Sequence, residues 1–151
     1  MILKKLREGD RMSIKELTTE VEWRRAYPVM KELRTHLELE SFLHLVQEMR
    51  REGYRLFALE EAGEILAVTG VTIRATLYYG KHLFVHDLVT RSDQRSQGCG
   101  ERLLTYVEDW GRSQGCGSVA LTSGLARRDA HRFYEERMGY DRVSHVFRKM
   151  L

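Results

Sequence analysis

A chain of 151 residues is long enough for one domain that buries most of a single core. Its hydrophobic content of 42% and charged content of 31% are typical of a globular protein, and no apolar run approaches the roughly 18 residues of a membrane span. The 25 basic and 22 acidic residues are mixed along the chain without a basic block, so the net charge of +3 argues against nucleic-acid binding.

The N-terminal segment and the cysteines set the expected location and chemistry. The chain becomes charged at Lys4, too early for the apolar core of a secretion signal, so we expect a cytoplasmic protein without a membrane partner. Residues 1–11 carry no clear pattern and are predicted to form a loosely held extension before one domain over 12–151. Cys99 and Cys116 are predicted to be free thiols. The two cysteines and six histidines lack close ligand pairing, which predicts no metal site.

The N-terminal part predicts a strand and two helices. A short strand is expected over Ile14–Leu17. Thr19 is a suitable cap for a helix over Glu20–His36, which Pro28 should kink. A second amphipathic helix is predicted over Glu40–Glu52, where apolar residues recur at spacings of three and four.

The middle of the chain predicts a hairpin and a crossover. Tyr54–Leu59 and Ile65–Leu77 are rich in β-branched and aromatic residues, and a polar turn with a glycine joins them as an antiparallel hairpin. The next strand is predicted over Lys81–Thr90. A helix over Gly100–Gln114 and a strand over Ser118–Ser123 follow, and the two strands of this crossover should be parallel neighbours.

The C-terminal part predicts one more helix and one more strand. Asp129 is expected to cap a helix that carries Phe133 and Tyr134. The alternating segment Arg142–Lys149 is expected to form the last strand. The fold class is therefore α/β, with a mixed and mostly antiparallel sheet of about six strands flanked by about four helices.

The turn Arg95–Gly100 between the central strand and helix is the first candidate site. Gly98 and Gly100 let successive N–H groups approach a ligand without side chains in the way. The helix that follows adds unpaired N–H groups and the positive end of its dipole, and Arg95 adds a mobile charge, so the turn suits a phosphate. Because Gly-x-Gly turns often only reverse the chain, the turn alone leaves a structural role open.

A second block, Ala130–Tyr140, follows one strand later. Together the two blocks resemble the GNAT superfamily of acyl-CoA-dependent N-acetyltransferases. In that family an R/Q-x-x-G-x-G/A motif binds the coenzyme A pyrophosphate, and a later A-x-x-F-Y-x-x-x-G-F/Y motif carries a tyrosine near the coenzyme sulfur. Both motifs stand here in the expected order, with one extra residue before Gly139. The resemblance covers roughly Met12 to Leu151.

The resemblance implies acetyl-CoA as the co-substrate and direct transfer of its acetyl group to a primary amine in a ternary complex. Tyr134 matches the family tyrosine residue for residue and is implied to protonate the departing thiolate. A thiol with a pKa of about 8.5 and a phenol with a pKa of about 10 differ by only about 2 kcal/mol in proton affinity. The alternative is that Tyr134 only packs beside Phe133.

His86 and Asp87 are the two candidates for the base that removes the amine proton. They lie in the strand before the glycine turn, where similar acetyltransferases often have an acidic residue that relays this proton through water. Alternation along a strand should send the two side chains to opposite faces, so only one would face the acceptor. His86 has an ordinary pKa of about 6.5, whereas Asp87 would need burial to become basic enough. The alternative is that one of them is a surface residue and the other a hydrogen-bonded structural group. An amine that arrives already neutral would need no dedicated base.

The resemblance also implies the residues that bind coenzyme A, mainly through their main-chain groups. The pantetheine arm is implied to pair with the strand end and the pyrophosphate with the turn, while no chemistry is assigned to the Cys99 thiol. The residues are Leu88, Val89 and Thr90 for the arm and Arg95, Gln97, Gly98, Cys99, Gly100 and Glu101 for the pyrophosphate.

Other readings stay open at this point. A polar set beside the tyrosine helix either shapes the acceptor pocket or caps that helix. Leu103 stands where a dinucleotide-binding G-x-G-x-x-G motif needs its third glycine, which argues against an oxidoreductase. A non-catalytic acyl-CoA sensor with the same fold is the alternative to an enzyme. Family members commonly dimerise, so a homodimer is a candidate state. The polar set comprises Ser123, Gly124, Arg127, His131 and His145.

Overall fold

The computed structural model of the protein describes residues 11–151. Residues 1–10, and with them most of the predicted extension, lie outside the described residues. The described chain divides into two compact units, one that ends at Ala120 and one that spans Leu121–Leu151. One domain over 12–151 stays a prediction.

The strands of the sheet lie side by side in chain order, and the first three neighbouring pairs are antiparallel. The fold class is confirmed, although the part of the chain that the structure describes has five strands instead of about six. The strands are β1 (Met12–Leu17), β2 (Arg55–Glu61), β3 (Glu64–Thr76), β4 (Gly80–Thr90) and β5 (Ser118–Leu121).

Strand β5 lies next to β4 at the end of the sheet. The Gly117 N–H donates a hydrogen bond to the Lys81 carbonyl at 2.9 Å. The two strands therefore begin side by side, as a crossover through the helix between them requires.

Four α-helices are present within residues 11–151, as predicted. None of the helices in this range is long and apolar enough to cross a lipid bilayer. The helices are α1 (Glu20–Leu33), α2 (Leu39–Arg50), α3 (Cys99–Ser113) and the short α4 (Arg128–Arg132).

Helix α1 is capped by Thr19, as predicted, and the structure adds a reciprocal bond to the Glu22 side chain. The Thr19 hydroxyl accepts a hydrogen bond from the Glu22 N–H at 3.3 Å, and the Glu22 carboxylate accepts one from the Thr19 N–H at 3.2 Å. Pro28 lies inside the helix without ending it, and the kink there stays a prediction. The helix ends at Leu33, three residues before the predicted end at His36.

Helices α1 and α2 cover one face of the sheet. Trp23 and Val29 of α1 and Phe42 of α2 pack with Leu56 and Val68 of the sheet in one buried cluster. Neighbouring residues of a strand point to opposite faces of the sheet. The strand residues directly after Leu56 and Val68 therefore point to the other face, which another helix can cover.

Helix α3 covers the opposite face. The Phe57 ring of β2 contacts the rings of Tyr106 and Trp110, with centroids 5.8 and 5.4 Å apart. A Cβ added to Gly111 would lie 3.3 Å from the Leu83 Cβ of β4. Glycine inside a helix costs about 1 kcal/mol relative to alanine, and here it allows the helix to approach the sheet closely.

The capping prediction for Asp129 is wrong. Helix α4 begins at Arg128, so the residue at its N-cap is Arg127, which makes no side-chain capping bond. Asp129 lies in the first turn instead, and its carboxylate pairs with Arg132 one turn further on.

The prediction of a strand over Arg142–Lys149 is also wrong, because this segment has no regular secondary structure. Its apolar residues Val143, Val146 and Phe147 are spaced by three and one, whereas one face of a strand requires a spacing of two. These side chains are 61%, 70% and 93% exposed. The segment therefore lacks the buried face that would hold it as a strand.

Candidate active site

The turn between β4 and α3 has the backbone shape expected of an anion site. Ser96 and Gly98 both have positive φ angles, of 64° and 80°. A positive φ is uncommon for a residue with a side chain, and left-handed residues in close succession make N–H groups converge. The residues from Arg95 to Gly98 are exposed, so these groups are open to a ligand.

The N-terminus of α3 continues this surface. The first hydrogen bond of the helix runs from the Arg102 N–H to the Gly98 carbonyl at 3.0 Å, so the amides of Cys99 and Gly100 precede the helical ladder. No side chain caps the helix. The Cys99 side chain is buried, and burial raises the pKa of its thiol. Cys99 can therefore serve a ligand through its amide while its thiol packs in the core.

Within residues 11–151, the end of β4 extends past its shorter neighbour β5. On one side, Leu88, Val89 and Thr90 pair with β3. On the other side, β5 starts beside Lys81 and has only four residues. At about 3.3 Å per residue β5 reaches roughly 13 Å, whereas Leu88 lies roughly 23 Å beyond Lys81 along the strand. The predicted pantetheine-binding residues thus lie beyond the end of β5.

Strand β4 contains a β-bulge at His86. Gly70 of β3 pairs with Asp87, and the next residue, Val71, pairs with Val85. His86 is therefore an extra residue without a partner across the strand pair, and such an insertion interrupts the alternation of side chains.

The bulge brings His86 and Asp87 to the same face of the sheet, so the prediction of opposite faces is wrong. The His86 ring lies 5.7 Å from the Tyr54 ring, measured between centroids. The Tyr54 hydroxyl donates a hydrogen bond to Oδ2 of Asp87 at 2.7 Å. Both candidate bases consequently contact one tyrosine on the face that α1 and α2 cover.

Asp87 is held on both of its carboxylate oxygens. Oδ1 accepts a hydrogen bond from Nε of Arg34 at 2.9 Å, and Nη2 of the same guanidinium lies 2.9 Å away. Oδ2 accepts from Tyr54. Because these donors occupy the lone pairs that a base would use, Asp87 is poorly placed to take a proton from an amine.

His86 is better placed as a base. Its Nε2 hydrogen bonds with the Thr72 hydroxyl, which fixes the ring; in the tautomer in which Nε2 donates, Nδ1 carries the lone pair that a base needs. Burial, followed by the positive charge of Arg74, lowers the pKa of His86 from its ordinary value of 6.5, although Asp87 acts in the opposite direction. The imidazole is therefore neutral at neutral pH, as a base must be.

Tyr134 lies in the second unit, where only 9% of its surface is exposed. Its ring contacts those of Phe133 and Tyr140, with centroids 5.3 and 5.9 Å apart. Burial raises the pKa of Tyr134 from its ordinary value, against the effect of Arg127. The phenol thus keeps its proton at neutral pH and can act as a donor.

The extra residue of the tyrosine motif is accommodated in a π-helical turn. Phe133–Arg137 extends α4 as a π-helix, and the Met138 N–H donates to the Phe133 carbonyl at 3.0 Å. A π-turn accommodates one residue more than an α-turn. The insertion before Gly139 is therefore absorbed after Tyr134 without displacing the tyrosine from the helix.

The structure brings together part of the predicted polar set. Nε2 of His131 hydrogen bonds with the Gly124 carbonyl at 2.8 Å, and the same carbonyl accepts the Arg127 N–H at 3.0 Å. These contacts bind the loop to the start of α4. His145 is exposed in the C-terminal segment.

Over residues 11–151, the His, Cys, Asp and Glu side chains include no group of three that could hold a metal ion.

The glycine turn and the tyrosine helix both fall within the range matched by one family model. The acetyltransferase (GNAT) family model matches residues 18–140. The chain belongs to this family. This GNAT chain is 46% identical over 137 residues to an uncharacterized N-acetyltransferase of Bacillus subtilis, a match that covers 90% of this chain and 96% of that protein.

Two further relatives have named substrates or ligands. An aminoalkylphosphonate N-acetyltransferase of Salmonella typhimurium is 31% identical over 90 residues, which is 59% of this chain and 58% of that protein. A crystallised aminoglycoside N-acetyltransferase in complex with CoA superposes with a TM-score of 0.82 and 16% identity, over 93% of this chain and 94% of that one. The family, the fold and the activity of the GNAT chain as an acyltransferase are thereby confirmed.

The residues that surround the candidate bases in this GNAT chain were not predicted from the sequence. Arg34 and Tyr54 were assigned no role, although both bind Asp87. The bulge at His86 was also missed. Gly70, a glycine inside a run of β-branched residues, was the available signal, because such a glycine often marks a bulge or a close approach of another group.

Proposed function

We propose that this GNAT chain transfers an acetyl group from acetyl-CoA to a primary amine, by direct attack within a ternary complex. The observation that carries the proposal is the exposed turn with positive φ at Ser96 and Gly98, followed directly by the N-terminus of α3. Converging backbone N–H groups and a helix dipole together favour a phosphate group.

Coenzyme A fits the main-chain groups of the first unit. The pyrophosphate would bind the amides of the turn, and the pantetheine arm would pair with the edge of Leu88–Thr90 beyond the end of β5. An extended arm that pairs with a strand edge gains hydrogen bonds without specific side chains. The CoA complex of the structurally similar aminoglycoside acetyltransferase supports this assignment.

The transfer needs two proton movements. The amine nitrogen attacks the thioester carbonyl carbon and a C–N bond forms, while the C–S bond breaks and coenzyme A leaves as a thiolate. His86 accepts the proton that the amine loses, and Tyr134 donates a proton to the thiolate. The lowered pKa of His86 and the raised pKa of Tyr134, both caused first by burial, keep each group in the required protonation state at neutral pH.

Small-molecule amines are the acceptors that we propose first. Two of the relatives with named substrates are an aminoalkylphosphonate and an aminoglycoside acetyltransferase, and both names describe small amines with several polar groups. A panel of such amines, peptide N-termini and lysine peptides, followed by release of free thiol, would rank these classes.

The coenzyme site can be tested with two matched glycine variants. Gly98→Ala and Gly80→Ala each place a side chain at a positive φ, of 80° and 67°, and neither Cβ meets an atom within 4 Å. We expect Gly98→Ala to weaken CoA binding in calorimetry by about tenfold, because the left-handed backbone costs alanine about 1–2 kcal/mol. Gly80→Ala, at the far end of β4, should bind CoA as the wild type does. Equal affinities for all three proteins would remove the turn from the site.

The acid can be tested with two tyrosine variants of the second unit. Tyr134→Phe keeps the ring and removes the hydroxyl, so we expect kcat for thiol release to fall by about 10²-fold or more. Tyr140→Phe is the control, because the Tyr140 ring contacts Tyr134, and this variant should keep kcat near the wild-type value. An unchanged rate in Tyr134→Phe would exclude this hydroxyl as the proton donor.

A further inference from the structure

The His86 bulge is held by side chains from several parts of the first unit. We call Arg34, Tyr54 and Asp87 the bulge cluster. Arg34 follows the end of α1, Tyr54 precedes β2, and Asp87 is the neighbour of His86 in β4. These residues lie far apart in sequence, so the fold itself assembles the cluster.

Two side chains donate hydrogen bonds to main-chain carbonyl groups of the bulge. Nη2 of Arg34 donates to the His86 carbonyl at 2.8 Å. The Thr69 hydroxyl donates to the Asp87 carbonyl at 2.7 Å. Without these donors, each of the two partly buried carbonyls would lose a hydrogen bond, and an acceptor left unsatisfied away from water is destabilising. Arg34 therefore contacts both the backbone of the bulge and the Asp87 carboxylate.

Tyr54 completes the cluster by crossing Gly70, the position of β3 that has no side chain. A Cβ on Gly70, the residue that pairs with Asp87, would lie 1.7 Å from the Tyr54 hydroxyl oxygen. The hydroxyl thus reaches Asp87 by passing over Gly70. Burial and the Asp87 carboxylate raise the pKa of Tyr54 well above its ordinary value, so the hydroxyl remains a donor.

We propose that the bulge cluster positions His86 as the base for the acceptor amine, with Arg34, Tyr54 and Asp87 acting through His86 and not on the substrate. This inference rests on the proposed acetyl transfer. It gives Asp87 a role other than that of a base, and it assigns roles to two residues for which the sequence indicated none.

Charge provides a readout whose direction separates the positioning role from a merely structural one. The groups that face His86 are Arg74 from β3, Asp87 from β4, Arg34 from the end of α1 and Tyr54 from the start of β2. Removal of the Arg34 charge should raise the pKa of His86, because a nearby cation opposes protonation. Removal of the Asp87 charge should lower it, because a nearby anion favours protonation.

The first test follows the imidazole signal of His86 by NMR during a pH titration without substrate. We expect the midpoint to rise in Arg34→Met and to fall in Asp87→Asn. Arg55→Met is the control, since it removes an exposed ion pair with Glu16 at 2.9 Å. If the cluster only stabilised the fold, both cluster variants would expose His86 and move the midpoint upward. A rise in Asp87→Asn would overturn the proposal.

The second test measures kcat and KM across pH. Tyr54→Phe loses the hydroxyl that binds Asp87, and we expect kcat to fall about tenfold with little change in the KM for acetyl-CoA. Tyr27→Phe is the matched control, because it loses a hydroxyl that donates to the Leu37 carbonyl at 2.8 Å and leaves Asp87 untouched. Equal kcat values in the two variants would contradict the positioning role.

Arg34→Lys provides a further check if Arg34→Met does not fold. Lysine keeps the charge but has no planar fork to bind the Asp87 carboxylate and the His86 carbonyl together. The His86 midpoint should stay near the wild-type value while kcat falls; an unchanged kcat would overturn the proposal.

Calorimetry with CoA separates this inference from the proposed function. If the wild type did not bind CoA, the proposed acetyl transfer would be wrong, whereas the NMR midpoints of His86 would still test the role of the bulge cluster.

Discussion

At the scale of single residues, Gly70 shows how one position permits a non-local contact. It lies in the middle of β3, where β-branched residues are favoured, and it faces the ring and hydroxyl of Tyr54. The sequence marks Gly70 as unusual but does not reveal that Tyr54, sixteen positions earlier, crosses it. For the same reason the sequence could name His86 and Asp87 as candidates, but it could not predict that both lie on one face.

We predict that Gly70→Ala destabilises the protein by about 2 kcal/mol, because the new methyl group overlaps Tyr54 and the ring must move. Chemical denaturation measures the loss. Gly117→Ala is the control, since its nearest atom would be the Lys81 carbonyl oxygen at an ordinary 3.9 Å. In a Tyr54→Val background the cost of Gly70→Ala should largely disappear. A cost that persists there would show that Tyr54 is not the obstacle.

At the scale of secondary-structure elements, features set by residues close in sequence were predictable, and features set by contacts with distant residues were not. The start of α1 depends on Thr19 and Glu22, three residues apart, and the sequence alone indicated the cap. The end of α1 came three residues earlier than predicted, next to Arg34, whose side chain binds the distant Asp87 and His86. Periodicity within a helix carries no information about such a partner.

The cap of α1 leads to a prediction for Thr19→Ala. The substitution removes the hydroxyl that accepts the Glu22 N–H, so the free energy of unfolding should fall by about 1 kcal/mol. Thr18→Ala is the control, because its hydroxyl lies 3.5 Å from the Glu22 carboxylate and caps no N–H. Thermal unfolding followed by circular dichroism measures both. Equal losses in the two variants would mean that the hydroxyl cap contributes little to stability.

At the scale of the whole molecule, the order of elements predicted the fold class better than it predicted each strand. A hairpin followed by a crossover defines a mixed sheet, and both features are present. The segment Arg142–Lys149 was predicted to be a strand from its alternating pattern, yet its apolar side chains are exposed. A strand needs a partner as well as a pattern, and one chain's sequence does not identify that partner.

Stability of the molecule should depend on pH through His86. Because burial, with Arg74, holds the folded pKa of His86 below 6.5, the unfolded state binds a proton first as the pH falls. Stability contributed by the neutral imidazole is therefore present above pH 6.5 and declines as the pH falls towards the folded pKa. Tryptophan fluorescence reports this transition, since Trp23 and Trp110 both lie in the first unit.

We predict that wild-type stability falls more steeply between about pH 7.5 and about pH 5.5 than that of His86→Gln, which cannot take up the proton. His44→Gln, at an exposed position of α2, is the control and should retain the wild-type slope. Denaturant titrations across this range compare the three slopes, so any constant cost of the substitutions cancels. Parallel slopes for wild type and His86→Gln would mean that His86 titrates alike in the folded and unfolded chains, and the neutral base at the bulge would lose its physical support.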